Sequence, residues 1–225
     1  MKLTKEQIQE IESYIVACGI QWYDVKTELV DHFATSLEEK FDKKPILNFK
    51  QAIIDEHKSF GDIGFKKLLE TKTKAVEKQF YKQVLTHLKS FFKIPKILIS
   101  AGFFYGLVLI MNLFSNKEHF FIGLTTVAFT IAAVVLIRIS NGQNNKRTQF
   151  LILDKTTIFL QQFNVLMILF SNITVLRSED SFNFQSYNFM QIGVFVLLML
   201  FYWCSEYVFF MNKKYVKTNY PEIAI

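Results

Sequence analysis

Three prolines and eight glycines in 225 residues leave little material for a loop-rich or extended fold, so regular elements are expected throughout. The two cysteines cannot build a disulfide framework or a zinc-type cysteine pair: Cys18 lies in an amphipathic stretch and Cys204 in an apolar run, and each reads as a small hydrophobe. Histidine is equally scarce, with His32, His57, His87 and His119 scattered along the chain. Asp31-His32 and Glu56-His57 are sequence neighbours, and neighbours on a helix point about 100° apart, so neither pair makes a ready chelate. There is no His-Glu-x-x-His, no phosphate-binding glycine loop and no nucleophile elbow. These absences point to a non-enzymatic protein without cofactor or metal. A secretory signal is also missing, because the opening segment carries Glu6, Glu10 and Glu12 and no apolar run; the N-terminus is expected in the cytoplasm.

What the chain has in quantity is apolar sequence, at 51% hydrophobic residues and a mean hydropathy of +0.20. Four stretches, 97–114, 120–137, 156–176 and 189–205, contain no charged residue. A helix needs about 20 apolar residues to cross a bilayer, and helices are the economical way to satisfy a backbone in lipid. The expected fold is therefore all-α, a small N-terminal helical cytoplasmic domain followed by a four-helix transmembrane bundle with spans at about 95–114, 120–139, 156–176 and 189–211. The loop 138–155 carries Arg138, Lys146, Arg147 and Lys155 against Asp154, and the tail 212–225 carries Lys213, Lys214 and Lys217 against Glu222. The other two loops hold Lys117 with Glu118, and Arg177 with Glu179 and Asp180. Counting basic residues places both termini in the cytoplasm, as for a multi-pass protein of a bacterial inner membrane.

The net charge of +6 is not a nucleic-acid signature, because it is unevenly distributed. Residues 1–62 contain 8 Lys and 12 Asp+Glu, net −4, whereas 63–96 contain 9 Lys and 2 Glu, net +7. Basic residues gathered before a first span suit the surface of an anionic bilayer, so the expected contact is lipid and not direct nucleic acid.

The sequence before the spans divides into a helical domain at 1–63 and a basic juxtamembrane helix at 64–94. Thr4-x-x-Gln7 is a capping box opening a helix with Ile8, Ile11, Ile15 and Cys18 on one face, stopped by Gly19. Asp24 reads as the N-cap of a second helix whose Val25, Leu29, Phe33, Leu37 and Phe41 turn inward. Glu28, Asp31, Glu38, Glu39 and Asp42 fall on its opposite side; such a stripe is either solvated surface or a docking face for a basic partner. Asn48-x-x-Gln51 opens a third helix, with Phe49, Ala52, Ile53 and Phe60 inward and Gly61 as its stop. A core of this size is marginal alone and is expected to lean on the long following helix or on another protein.

Within the spans, Gly102-x-x-x-Gly106 would let helices approach closely, leaving a homo-oligomer open. Gln161, Asn164 and Ser171 share one face of the third span, readable as interhelical hydrogen bonding or as a conduction path; the lack of ionisable groups favours the first. Glu206 lies five residues from Met211, close to the interface, where Lys213 and Lys214 are within reach.

Glu28-Leu29, Asp31-His32, Leu37-Glu38-Glu39, Phe60-Gly61-Asp62-Ile63 and Leu68-Leu69 together resemble the HAAS-type helical signalling domain over about residues 5–70. Ile63 stands where that pattern usually has proline. The resemblance implies a short helical domain ahead of several spans and a cytoplasmic partner of the PadR-like winged-helix class. The function expected on that basis is membrane signalling or interaction, with an oligomeric pore or transport-associated subunit as the alternative.

Overall fold

A computed structural model describes residues 2–43, 48–60, 64–141 and 150–220. The described residues form eight α-helices and a short 3-10 turn, with no β-strand among them. The helices are α1 (Lys5–Ala17), α2 (Tyr23–Lys43), α3 (Phe49–Ser59), α4 (Phe65–Ser90), α5 (Lys96–Leu113), α6 (Lys117–Asn141), α7 (Leu151–Val175) and α8 (Gln185–Asn219); the 3-10 turn at Glu179–Asn183 precedes α8. They belong to two compact units, Met1–Lys78 with Lys146–Lys155, and Gln79–Asn145 with Thr156–Ile225.

In the N-terminal unit, local signals set the ends of the helices. Thr4 Oγ1 accepts the Gln7 amide at 3.3 Å while Gln7 Oε1 accepts the Thr4 amide at 2.9 Å, the reciprocal capping box of α1. Gly19, at φ +92°, takes the left-handed position after Cys18 that a side chain would resist. Asn48 caps α3 by accepting the Lys50 and Gln51 amides. Gly61, the expected stop of α3, lies outside the described residues, as do Asp62 and Ile63 of the family-like motif. Gly64 carries a second positive φ, +51°, and a Cβ there would stand 2.8 Å from His57 Nε2.

Val25, Leu29, Phe33, Leu37 and Phe41 are all buried along α2, against Ile11 and Ile15 of α1, Ala52 and Ile53 of α3, and Phe65 of α4. Cys18 departs from expectation: it is the exposed C-terminal cap of α1, because the helix ends there and its apolar face closes at Ile15. A larger difference lies at 150–155. Where charge counting puts a loop across 138–155, α6 continues to Asn141 and α7 starts at Leu151, with Phe150, Leu151 and Leu153 buried. Leu151 joins the core of the N-terminal unit, so that core is completed by a segment distant in sequence.

The second unit contains four helices long and apolar enough to cross a membrane, Lys96–Leu113, Lys117–Ser140, Leu151–Val175 (from Thr156 onward in this unit) and Gln185–Asn219. Much of their apolar surface faces outward: Leu98 is 70% exposed, Leu113 83% and Val175 68%. Apolar surface on this scale is unfavourable in water and favourable in hydrocarbon, which fits a multi-pass membrane protein. The 35 residues of α8 would extend about 50 Å at 1.5 Å per residue, longer than a hydrocarbon core. In the same unit, the second half of α4 packs Phe80 and Val84 against Cys204 and Val208 of α8, with Phe159 and Phe201 alongside.

Candidate functional site

The acidic stripe of α2 is real as a helix face but not uniform in state. Glu28 is held by Lys72 of α4, whose Nζ donates at 2.6 and 2.8 Å to its two oxygens. Glu38 accepts the backbone N–H of Leu3 at 2.9 Å and is half-buried. Asp31, Glu39 and Asp42 are exposed. Glu28, Asp31 and Glu39 line a groove of about 470 Å³ with His32, Thr35 and Ser36.

Behind that groove sits Glu56, 4% exposed and bound to Lys40 Nζ. Burial alone would raise its carboxyl, but hydrogen bonds from Lys40 and Ser36, with the charges of Lys40 and His32, outweigh burial and hold it below its ordinary value. Two groove residues, Ser36 and His32, thus also stabilise a buried negative charge.

Three of the four histidines make packing or hydrogen-bond contacts. Tyr14 Oη and His57 Nδ1 are 2.7 Å apart, and the His57 ring stacks on Phe65 at 4.3 Å between centroids. His32 meets Phe60 edge-on at 5.6 Å, and His87 meets Tyr207 at 4.7 Å.

In the membrane-type unit, Gly102 and Gly106 face open space, with nothing within 4 Å of a Cβ placed on either. The glycine that another helix approaches is Gly193 of α8, 3.9 Å from the Phe104 ring by the same measure. On α7, Gln161 is exposed and Asn164 and Ser171 are half-buried, and none of the three side chains bonds another described residue. The inward face of α7 is instead Leu160, Phe163, Met167, Phe170 and Thr174. Periodicity identifies that polar stripe but cannot say which face turns inward. Glu206 forms no ion pair with Lys213 or Lys214, both described residues.

A polar cluster around Arg177 is not evident from sequence. Its Nε donates to Ser181 Oγ at 3.1 Å, and one terminal nitrogen donates to Ser181 O at 2.7 Å and Asn188 Oδ1 at 2.9 Å. The other donates to Gln191 Oε1, whose amide in turn donates to Thr174 Oγ1 at 2.7 Å. The guanidinium also lies 4.1 Å from the Phe182 ring centroid. Asn188, Gln191 and Thr174 are buried polar residues, and this chain of bonds satisfies them. The spacing of Asn188 and Gln191, three residues apart on one face of α8, is the one available sequence signal. No family model, curated protein or solved structure matches the chain.

Proposed function

We propose that this chain is a non-enzymatic interaction protein of the bacterial inner membrane. Its N-terminal unit and both termini face the cytoplasm, and the acidic face of α2 docks a basic protein such as a PadR-like winged-helix regulator. The observation that supports it most is the α2 groove, where Asp31 and Glu39 stand exposed around about 470 Å³ and no ion pair with another described residue engages either. Glu28 and Glu38 already have partners within the chain, so Asp31 and Glu39 carry the recognition. Complementary charge would accelerate and orient association, while apolar contacts supply most of the affinity. A regulator that holds phosphate must itself be basic, so an acidic groove competes for the same surface.

The test is capture of such a regulator by the full chain in detergent. The full chain is required because Leu151 completes the N-terminal core. Reversing Asp31 and Glu39 to Lys should abolish capture at low salt, and reversing the exposed Glu70 should not. Equal capture by both variants would reduce the groove to solvated surface.

An oligomeric pore or transport-associated subunit is the second reading. It draws on the outward-facing Gln161 and the half-buried Asn164 and Ser171 of α7, polar groups that hydrocarbon would leave unsatisfied. Ion flux through vesicles carrying the purified protein, lost on replacing Gln161 and Asn164 by Leu, would favour this reading over docking.

A further inference from the structure

The second half of α4, the start of α5 and the cytoplasmic-proposed end of α8 line a half-open cavity of about 560 Å³. Its lining includes His87, Phe91, Lys96, Trp203, Glu206 and Tyr207. This combination of charges is unusual for a cavity beside apolar spans, because it holds a cation and an anion that do not pair with each other. Lys96 Nζ donates to Ser90 Oγ at 3.2 Å and lies 5.1 Å from the Phe91 ring centroid, which leaves two of its three N–H groups free for a ligand. The Glu206 carboxylate is half-buried and neither bonds nor ion-pairs with any described residue. Arg138 acts on it only through space, its guanidinium resting 5.2 Å from the Phe210 ring centroid.

We infer that this cavity binds a zwitterionic phosphoethanolamine headgroup, as carried by phosphatidylethanolamine, with Glu206 receiving the ammonium and Lys96 receiving the phosphate. Both charges of the ligand then meet their opposites, and each contact is a charge-assisted hydrogen bond. Trp203 and Tyr207 line the same cavity, and an aromatic ring can also attract an ammonium. Acyl chains would continue over Leu98 and Ile99, 70% and 60% exposed on the first turn of α5. Specificity follows from what other headgroups lack. An anionic phosphatidylglycerol would leave Glu206 unpaired beside a second negative charge, and a trimethylammonium has no N–H to donate to it. The inference rests on the apolar spans and not on the docking role of α2.

The chain has two tryptophans, Trp22 and Trp203, so emission from the full-length Trp22→Phe variant comes from Trp203, which lines this cavity. Reconstituted in bilayers of acyl-brominated phosphatidylcholine, its Trp203 emission is quenched by lipid in contact. Unbrominated phosphatidylethanolamine should relieve quenching about tenfold more effectively than phosphatidylglycerol, the scale of one charge-assisted hydrogen bond. Glu206→Gln should remove that preference, and Lys96→Gln should weaken both lipids alike. Retained helicity by circular dichroism shows that each variant folds. Native mass spectrometry of the wild-type chain and Glu206→Gln, titrated with the same lipids, gives the same comparison without Trp22→Phe. Equal relief by both lipids, or an unchanged preference in Glu206→Gln, overturns the assignment. Equal relief by free glycerophosphoethanolamine overturns a lipid as the source of the headgroup.

Discussion

The Asp24 carboxylate accepts the backbone N–H of Leu151 at 3.1 Å, joining two residues 127 positions apart. Asp24 stands in the first turn of α2, where it also accepts the Val25 N–H, yet its reach extends to the first amides of α7. A residue whose sequence context marks it as the cap of one helix therefore caps another. The N-terminus of α7 gains both an acceptor for orphan donors and a negative charge at the positive end of its dipole.

Replacing Asp24 by Ala should cost about 0.5–2 kcal/mol, the range for losing a helix cap, and Asn should recover most of it because an amide oxygen still accepts. The pH dependence has a definite sign. Burial pushes the Asp24 carboxyl above its ordinary value, despite the opposing hydrogen bonds from Leu151, Val25 and Ile152. The folded form therefore holds the proton more tightly than the unfolded one. The resulting stability is full below the unfolded value of about 3.9 and is lost as pH rises through the folded value. Asp24→Asn, which does not titrate, should gain on the wild type as pH rises from about 4. Thermal unfolding followed by Trp22 emission in a Trp203→Phe background reads the N-terminal unit.

Glu56 has the opposite sign. Its hydrogen bonds and neighbouring cations hold the carboxyl low against burial, so its stability contribution is present above the unfolded value of about 4.3 and is lost as pH falls through the folded value. Lys40→Met strands the buried carboxylate and should cost about 1–3 kcal/mol, discounted from the full cost of a buried pair because the Lys40 side chain is 41% exposed. Lys40→Met combined with Glu56→Met should cost less than the two single changes added together. The same Trp22 unfolding assay, run on the four proteins of the cycle, measures the coupling.

Much of the helical frame was legible because one periodicity governs it. The Val25-to-Phe41 steps of α2, the Thr4 capping box and four charge-free stretches each depend on residues close in sequence. The contribution of Leu151 was not legible: a loop bounded by Arg138 and Lys155 looks aqueous, and nothing local announces that Phe150–Leu153 returns to the N-terminal core. The acidic stripe of α2 was visible, but which members were already engaged was not. Glu28 meets Lys72 and Glu38 meets Leu3 across 44 and 35 residues, separations at which spacing carries no information. Glycine marked the same limit, since Gly102 and Gly106 match a packing pattern yet face open space, while Gly64 takes a positive φ against His57.

Arg177 should prove structural in a way that lysine cannot replace. Its planar fork binds Ser181, Asn188 and Gln191 together and lies over the Phe182 ring, a geometry an ammonium does not reproduce. Arg177→Lys should lower stability by about 2–3 kcal/mol, the scale of hydrogen bonds to a charged group, and Arg177→Met by more because the Asn188 and Gln191 oxygens are left unpaired. Unfolding followed by Trp203 emission in a Trp22→Phe background tests this. An unchanged midpoint for Arg177→Lys would show that charge alone suffices there.

The same cluster sharpens the expected topology. Arg177 is committed to neutral partners close to α7 and α8, so the free charges of that connection are Glu179 and Asp180, both exposed. The opposite end of α8 carries Lys213, Lys214 and Lys217. Basic residues near span ends resist translocation, so the Lys-rich end should lie in the cytoplasm and the Glu179–Asp180 connection outside. The asymmetry does not rely on Arg177, and Arg177→Met should leave orientation unchanged even where it weakens the fold. With Cys18 and Cys204 replaced by Ser, a membrane-impermeant thiol reagent applied to intact cells should label Asp180→Cys and leave Asp31→Cys and Lys217→Cys unmodified until the cells are lysed. Labelling of Asp31→Cys in intact cells would put the α2 groove outside, where no cytoplasmic regulator could reach it, and the docking proposal would fall with the topology.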